Sequence, residues 1–135
     1  MSSRIFFLLL LGTPIFAQAS DWQLIDNTKL GKLQLDKASL TQEDKYISAI
    51  LVYKFNETQK AVPPNEAHDK REDKLIFDCT AKSFGLVKRV YFMGEKAVQT
   101  SLVQGDHIHF NPAPADSLAE KMIKIVCDAA SQTKN

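Results

Sequence analysis

Alternating apolar and polar residues dominate the chain between residues 21 and 103, and this period of two predicts β-strands. The strongest strand is predicted at YISAILVYKF (46–55), which carries apolar residues on both faces. Such a strand is either central and covered on both sides or has a face used for association, so a homodimer is possible. Weaker alternation predicts further strands in the segments DWQLID, GKLQLD, KLIFDCTAK, FGLVKRVYFM and AVQTSLV. The short connections between the last three predict an antiparallel meander.

Two segments lack this alternation. Residues 56–73 are polar and charged, with Pro63 and Pro64 in the middle, and are predicted to form a long connection that is either mobile or involved in binding. Residues 107–114 (HIHFNPAP) are predicted to be extended and to end in prolines.

The period changes to that of a helix near the C-terminus. Ser117 and Glu120 have the spacing of a capping box, which predicts that a helix begins there. The apolar stripe of this helix consists of Leu118, Met122, Ile125, Val126 and Ala129. We expect the stripe to pack on the sheet face that carries Leu75 and Phe77.

Residues 1–19 have the pattern of a cleaved secretory signal peptide. Arg4 precedes a short apolar run, and Ala17 and Ala19 form an A-x-A site. A membrane anchor is the alternative, but the run is much shorter than the roughly 20 residues of a spanning helix, and no later segment is long enough. The sequence therefore predicts one domain, residues 20–135, exported to the periplasm, the cell surface or the medium without a membrane span.

The predicted compartment decides how the two cysteines, Cys79 and Cys127, are interpreted. In an oxidising environment two cysteines are usually partners, and the helix would bring Cys127 over the strand face that bears Cys79. Two unpaired buried thiols are the alternative. The predicted fold is α+β: an antiparallel sheet of about six strands, with one C-terminal helix packed on one face and tied by a disulfide.

Charge and motifs exclude several functions. The chain has 17 Lys and Arg against 16 Asp and Glu, and loss of Arg4 with the leader leaves 16 of each sign. This balance argues against a nucleic-acid partner. There is no G-x-S-x-G, no H-E-x-x-H and no glycine-rich phosphate loop, so neither an enzyme nor a cofactor is expected.

Two small groups of side chains are candidates for a site. His107 and His109 would share one face of a strand and could reach one metal ion, but two exposed histidines flanking Ile108 are the preferred interpretation. The candidate binding residues are Lys74, Lys88, Arg89 and Tyr91, because Arg and Tyr are favoured at interfaces. A solvated surface is the alternative for these four.

The order of short motifs resembles the surface-adhesin protein E family of exported Gram-negative bacterial proteins. The shared features are the signal peptide, an early DW (21–22), LDKASL (35–40) with its D-x-x-S, IFDC (76–79) and a helix ending in VC (126–127). The resemblance covers essentially the whole mature chain. It departs at Phe110, where a Trp before the prolines is expected.

The resemblance implies the same disulfide-fastened sheet and helix. For some members it implies adhesion to host extracellular-matrix or serum proteins such as vitronectin, laminin and plasminogen, whereas many members have no known activity. Two functions are therefore expected from the sequence. One is an exported noncatalytic adhesin, and the other is a soluble periplasmic accessory or small-ligand-binding protein.

Overall fold

The computed structural model describes residues 21–132. Its elements are β1 (Trp22–Asn27), β2 (Gly31–Glu43), β3 (Tyr46–Gln59), β4 (His68–Asp78), β5 (Ser83–Met93), β6 (Lys96–Leu102), a short β7 (Asn111–Pro112) and one helix, α1 (Leu118–Gln132). The predicted signal peptide, residues 1–19, lies outside the described residues.

The sheet is an antiparallel meander in which each of the first six strands pairs with its neighbour along the chain, in the order β1-β2-β3-β4-β5-β6. The short strand β7 pairs with Ser83 and Phe84, the first two residues of β5, whereas β6 pairs with the second half of that strand. Short polar turns join most strands, as the meander requires. The predicted α+β fold, with about six antiparallel strands and a C-terminal helix, is confirmed.

The two faces of the sheet differ because α1 covers only one of them. The helix-side face carries Leu35, Leu51 and Phe77, which form the core together with Met122, Ile123, Val126, Ala129 and Ala130 of α1. The opposite face, called the far face below, carries the residues that alternate with these, such as Gln34, Val52 and Glu72.

The apolar stripe of α1 was predicted correctly except at its first residue. Met122 and Val126 are buried and Ile125 packs against the core, but Leu118 is 44% exposed. Leu118 opens the helix at the rim of a cleft between α1 and the sheet, where close packing has not begun. Ile123, which the predicted stripe does not include, is buried.

The start of α1 has the cap that the sequence predicts. The backbone N–H of Glu120 donates to Ser117 Oγ at 3.1 Å, and the Ser117 hydroxyl donates to the carbonyl oxygen of Pro114 at 2.6 Å. Ser117 therefore satisfies a free amide of the first turn and also fixes the chain that leads into the helix.

The predicted disulfide between Cys79 and Cys127 is confirmed. Its two Cα atoms are 5.9 Å apart, and the cysteines are separated by 48 residues in the sequence. Cys79 directly follows β4, and Cys127 lies in the second half of α1. The bridge therefore attaches the helix covalently to the sheet that it covers.

The prediction of a long connection over residues 56–73 is wrong. Strand β3 continues to Gln59 and β4 begins at His68, so the connection is only residues 60–67. Within it, the Asn65 N–H donates to the Val62 carbonyl at 2.7 Å, around a cis bond between Pro63 and Pro64. The charged run 69–73 looks like a loop because each of its residues is polar, but the backbone of residues 70–73 pairs with both β3 and β5.

The segment after β6 is also less extended than predicted. A 3₁₀ turn spans Gly105–His107, and the chain then crosses the far face. There Ile108 lies so close to Gly85 that a Cβ added to Gly85 would be 2.6 Å from Ile108 Cγ2, and the Phe110 ring stacks on Tyr46 with centroids 5.0 Å apart. Gly85 is therefore needed for this close approach.

The D-x-x-S motif at Asp36–Ser39 repairs an interruption of the sheet. Pairing of β2 with β3 passes from Asp36↔Ile50 to Thr41↔Ser48, which leaves a wide bulge in β2. The Ile50 N–H that loses its ladder partner donates to Ser39 Oγ at 2.7 Å, and the Ser39 hydroxyl donates to the Asp36 carbonyl at 2.6 Å. One side chain thus replaces the missing backbone acceptor.

Replacing Ser39 with alanine is expected to destabilise the domain by about 1–2 kcal/mol, because the Ile50 amide keeps its burial but loses its acceptor. Chemical denaturation measures the change. Thr41→Ala is the matched control, since Thr41 Oγ1 makes only an exposed bond within its own strand and its loss is expected to cost less than about 0.5 kcal/mol. Equal stability of the two variants would contradict this role for Ser39.

Candidate functional site

A bulge in β5 divides the four predicted binding residues between the two faces of the sheet. Leu86 pairs with Leu75 and Lys88 pairs with Lys74, so Val87 is an extra residue that shifts the alternation. Lys74 and Lys88 therefore lie opposite each other on the far face. Arg89 and Tyr91 lie on the helix-side face.

Arg89 forms a paired contact with Asp73 of β4. Its Nε and Nη2 donate to the two carboxylate oxygens at 2.7 and 2.9 Å, and Asp73 is only 6% exposed. Arg71 Nε lies 3.2 Å from Asp73 Oδ2 as an ion pair that lacks hydrogen-bond geometry. Two guanidinium groups therefore compensate one buried carboxylate.

The hydrogen bond to Asp73 raises the pKa of Arg89 above its ordinary value, against the opposing effect of burial. When the pKa of a cation is raised in the folded state, its contribution to stability is fully present below the unfolded-state pKa. That contribution is lost only as the pH rises through the folded-state pKa. Arg89 therefore contributes no pH dependence to stability in the physiological range. We conclude that Arg89 is held in place by a permanent ion pair and is not a free surface cation.

Tyr91 belongs to an aromatic cluster that continues the core beyond the helix. Its ring lies 4.2 Å from that of His68, which is 5.3 Å from Phe55, and Phe55 is 4.6 Å from Tyr53, all between centroids. His68 Nδ1 is 2.7 Å from the Glu66 carbonyl oxygen. The pattern of the sequence does not indicate this cluster, because His68 falls within residues 56–73, which are predicted to form a connection.

A cleft of about 270 Å³ separates this part of the sheet from the first turns of α1. Its polar lining is Tyr53, Arg71, Asp73 and Arg89, and its apolar lining comes from the sheet and from Leu118, Ala119 and Met122. The cleft therefore combines apolar walls with two cations, but both cations already contact Asp73.

The far face is more accessible to a large partner. Lys88 is exposed, and Lys74 is half-buried with its Nζ 3.9 Å from Glu43 Oε1. At the edge of this face Trp22 and Leu24 of β1 pair with Asp36 and Gln34, and they are 43% and 50% exposed. The face thus presents cations, an indole and an aliphatic side chain together.

The two candidate metal-binding histidines do not share a strand. His107 ends the 3₁₀ turn, and His109 lies in the irregular segment that follows, with both side chains exposed. The prediction that they project from one strand face is wrong, since the turn breaks the period of two. Across residues 21–132, no group of three or more His, Cys, Asp or Glu is arranged to hold a metal ion.

The same residues include no helix with the length and apolar character needed to cross a membrane.

The comparison with protein families identifies the chain. The model of the family described as surface-adhesin protein E matches residues 22–128, which include every strand and most of α1. The chain therefore belongs to the surface-adhesin protein E family. No curated protein sequence matches it significantly.

Solved structures with the same fold are those of Haemophilus influenzae protein E. The structure from a non-typeable strain has a TM-score of 0.57 and 12% identity, covering 90% of this chain and 84% of that one. Crystal form II has a TM-score of 0.60 and 12% identity, with 90% and 97% coverage. Membership of the family characterises the chain as an exported adhesin-type protein, and the solved structures show that it shares the fold of protein E.

Proposed function

We propose that this protein is an exported, noncatalytic adhesin that binds host extracellular-matrix or serum proteins through the far face of its sheet. The observation that carries the proposal is the far face itself. It is the face that α1 does not cover, and it exposes Trp22, Leu24 and Lys88 in a protein whose family is defined by surface adhesion.

The cations of this face that would contact a protein partner are Lys74 and Lys88. They lie directly opposite each other on neighbouring strands, so one acidic group on a partner could approach both. Arg89 and Tyr91, the other two predicted binding residues, lie on the helix-side face and are engaged in the ion pair and the aromatic cluster. We therefore assign the proposed binding role to Lys74 and Lys88, with Trp22 as the apolar anchor.

Binding to immobilised vitronectin, laminin and plasminogen tests the proposal. The paired substitution Lys74→Gln with Lys88→Gln is expected to weaken binding about tenfold at low salt and less at high salt, because exposed charges are screened. The control pair is Lys121→Gln with Lys124→Gln, which removes the same charge from the exposed side of α1. Equal binding by both double variants would refute the role of the far face. Failure of the unmodified protein to bind any matrix or serum protein would refute the adhesin function.

The cleft beside α1 supports a second function, that of a periplasmic accessory or small-ligand-binding protein. Its apolar walls and the convergent Arg71 and Arg89 suit a compact molecule with an apolar body and a carboxylate. It ranks second because such a ligand must compete with Asp73 for both arginines. Native mass spectrometry of protein recovered from its own compartment would detect a retained ligand.

The predicted homodimer is also a proposal. The exposed Trp22 and Leu24 lie on β1, an edge strand whose outer side pairs with no strand among residues 21–132. An association through this edge would shield both side chains. Comparing the sedimentation of the unmodified protein with that of the Trp22→Ser variant tests whether a dimer forms and whether Trp22 contributes to it.

A further inference from the structure

Three lysines form a row across the far face, at the end distant from the disulfide. Lys32 of β2 is paired with Lys54 of β3, and Lys54 is paired with Lys70 of β4. Neighbouring strands are about 4.8 Å apart, so the Cα atoms of this lysine row span about 10 Å. The sequence conceals the row because its members are separated by 22 and 16 residues and become neighbours only through the register.

The lysine row has no matching carboxylates. Within residues 21–132, none of its three ammonium groups forms an ion pair, and Lys70 Nζ instead lies over the Phe92 ring at 4.4 Å from the centroid. Asp69 and Glu95 line a shallow cavity with Lys54 and Lys70 but form no ion pair with either lysine, and Glu72 is in the adjacent cross-strand row, opposite Val52. Like charges placed directly opposite destabilise a sheet, so an anionic ligand that binds all three lysines would relieve a built-in repulsion.

We propose that the lysine row binds a sulfated polysaccharide of the host matrix. This inference rests on the proposed adhesin function and names a further ligand class for the same face. The row is a line of three lysines, of which Lys32 and Lys54 are exposed and Lys70 is half-buried, and it therefore matches a polymer that carries sulfate and carboxylate groups at regular intervals along a flexible chain.

The lysine row lacks the tryptophan that accompanies Lys74 and Lys88 in their own cross-strand row, and this favours a polysaccharide over a protein partner. Lysine is depleted at the centres of protein interfaces, where arginine and aromatic residues are enriched. Both arginines of the neighbouring strands are instead tied to Asp73 on the helix-side face. Nucleic acid is disfavoured because the domain has no net basic excess beyond this row.

Retention on a column of immobilised heparin tests the proposal. The variant Lys32→Gln/Lys54→Gln/Lys70→Gln is expected to bind at least about tenfold more weakly at low salt, and each single substitution about threefold more weakly. The matched control is Lys45→Gln/Lys82→Gln/Lys124→Gln, which removes three exposed lysines at the opposite end of the sheet and on α1. The control is expected to elute from the heparin column at nearly the same salt concentration as the unmodified protein.

Equal elution of the two triple variants would overturn the proposal, as would failure of the unmodified protein to bind heparin. Stronger retention by immobilised duplex DNA than by heparin would overturn the choice of ligand. These results are distinguishable from failure of the adhesin function. Lys74 and Lys88 lie about 13 Å further along the strands, so a protein that binds vitronectin through them but ignores heparin refutes only the polysaccharide site.

Thermal stability gives an independent measurement. Since the substitutions remove unfavourable contacts between like charges, the Lys32/Lys54/Lys70 triple variant is expected to melt at the same or a higher temperature than the unmodified protein at low ionic strength. This difference is expected to disappear at about 1 M salt, where charges are screened over about 3 Å. A lower melting temperature at low salt would show that the lysines serve the fold, and would overturn the proposal.

Discussion

Replacing Val126 with aspartate is expected to unfold the domain or release α1 from the sheet. Val126 is fully buried at the centre of the helix stripe, in one cluster with Leu35 and Phe77. A carboxylate there would have no partner, and burying such a charge costs several kcal/mol. Domains of this size are stable by only about 5–15 kcal/mol, so the substitution removes a large part of the total.

Circular dichroism and thermal denaturation distinguish the possible states of the variant. Loss of both strand and helix signals indicates global unfolding, whereas retained strand signal with exposed apolar surface indicates release of α1 alone. Val126→Ala is expected to cost about 1.5–3 kcal/mol and to leave the fold intact. Lys124→Ala, on the exposed side of α1, should change stability by less than about 0.5 kcal/mol. A melting temperature for Val126→Asp close to that of the unmodified protein would contradict the position of the helix.

The sequence predicted the strands and the helix well where periodicity is strong and local. The alternation in β3 and the capping box at Ser117 are both visible without knowledge of distant contacts. The disulfide could also be predicted, since export makes two cysteines partners and the stripe of α1 indicates which face the helix covers. The strands and the helix start depend on residues that are near one another in the sequence, whereas the disulfide joins residues 48 apart and is predictable because the chain has two cysteines.

The wrong prediction of a long connection over residues 56–73 has a physical cause, which is charge compensation that includes a residue of the neighbouring strand. Asp69 to Asp73 looks like a solvated loop because each side chain is polar. In the fold, Asp73 is buried by its ion pairs with Arg71 and Arg89, and Asp69 accepts a hydrogen bond from the Gly94 N–H at 3.1 Å. A buried ion pair of this kind leaves no mark in the hydropathy pattern of either strand.

The candidate site was predicted only in part because bulges decide which way its side chains point. If Val87 were paired in regular alternation, Lys88 would follow Phe84 and Leu86 onto the helix-side face; because Val87 is an unpaired extra residue, Lys88 joins Lys74 on the far face. The bulge at Ile25 acts in the same manner on Asp26, which pairs with Leu33 and lies 3.7 Å from Lys121 Nζ of α1 although Leu24, two residues earlier, is on the far face. A one-residue shift exchanges the two faces of a strand, and simple alternation cannot locate it.

Removal of the disulfide is expected to lower the free energy of unfolding by about 4 kcal/mol. The bridge closes a loop of 48 residues, and in the chain-entropy model its loss restores that conformational freedom to the unfolded chain. For a domain of this length the change corresponds to a fall of about 15 °C in Tm. The double variant Cys79→Ser/Cys127→Ser and the reduced native protein should both show it.

The measurement is thermal denaturation with and without reductant, together with mass analysis of thiols under non-reducing conditions. Reductant should not change the Tm of the double variant, which controls for other effects of the reagent. Two alkylatable thiols in protein from its native compartment, or a fall in Tm of only a few degrees, would contradict this role of the bridge. Binding should respond differently, since the lysine row and the Lys74–Lys88 pair lie on the face that α1 does not cover. Well below its lowered Tm, the double variant should therefore bind heparin and matrix proteins as the unmodified protein does, and loss of binding under those conditions would show that the far face depends on the attached helix.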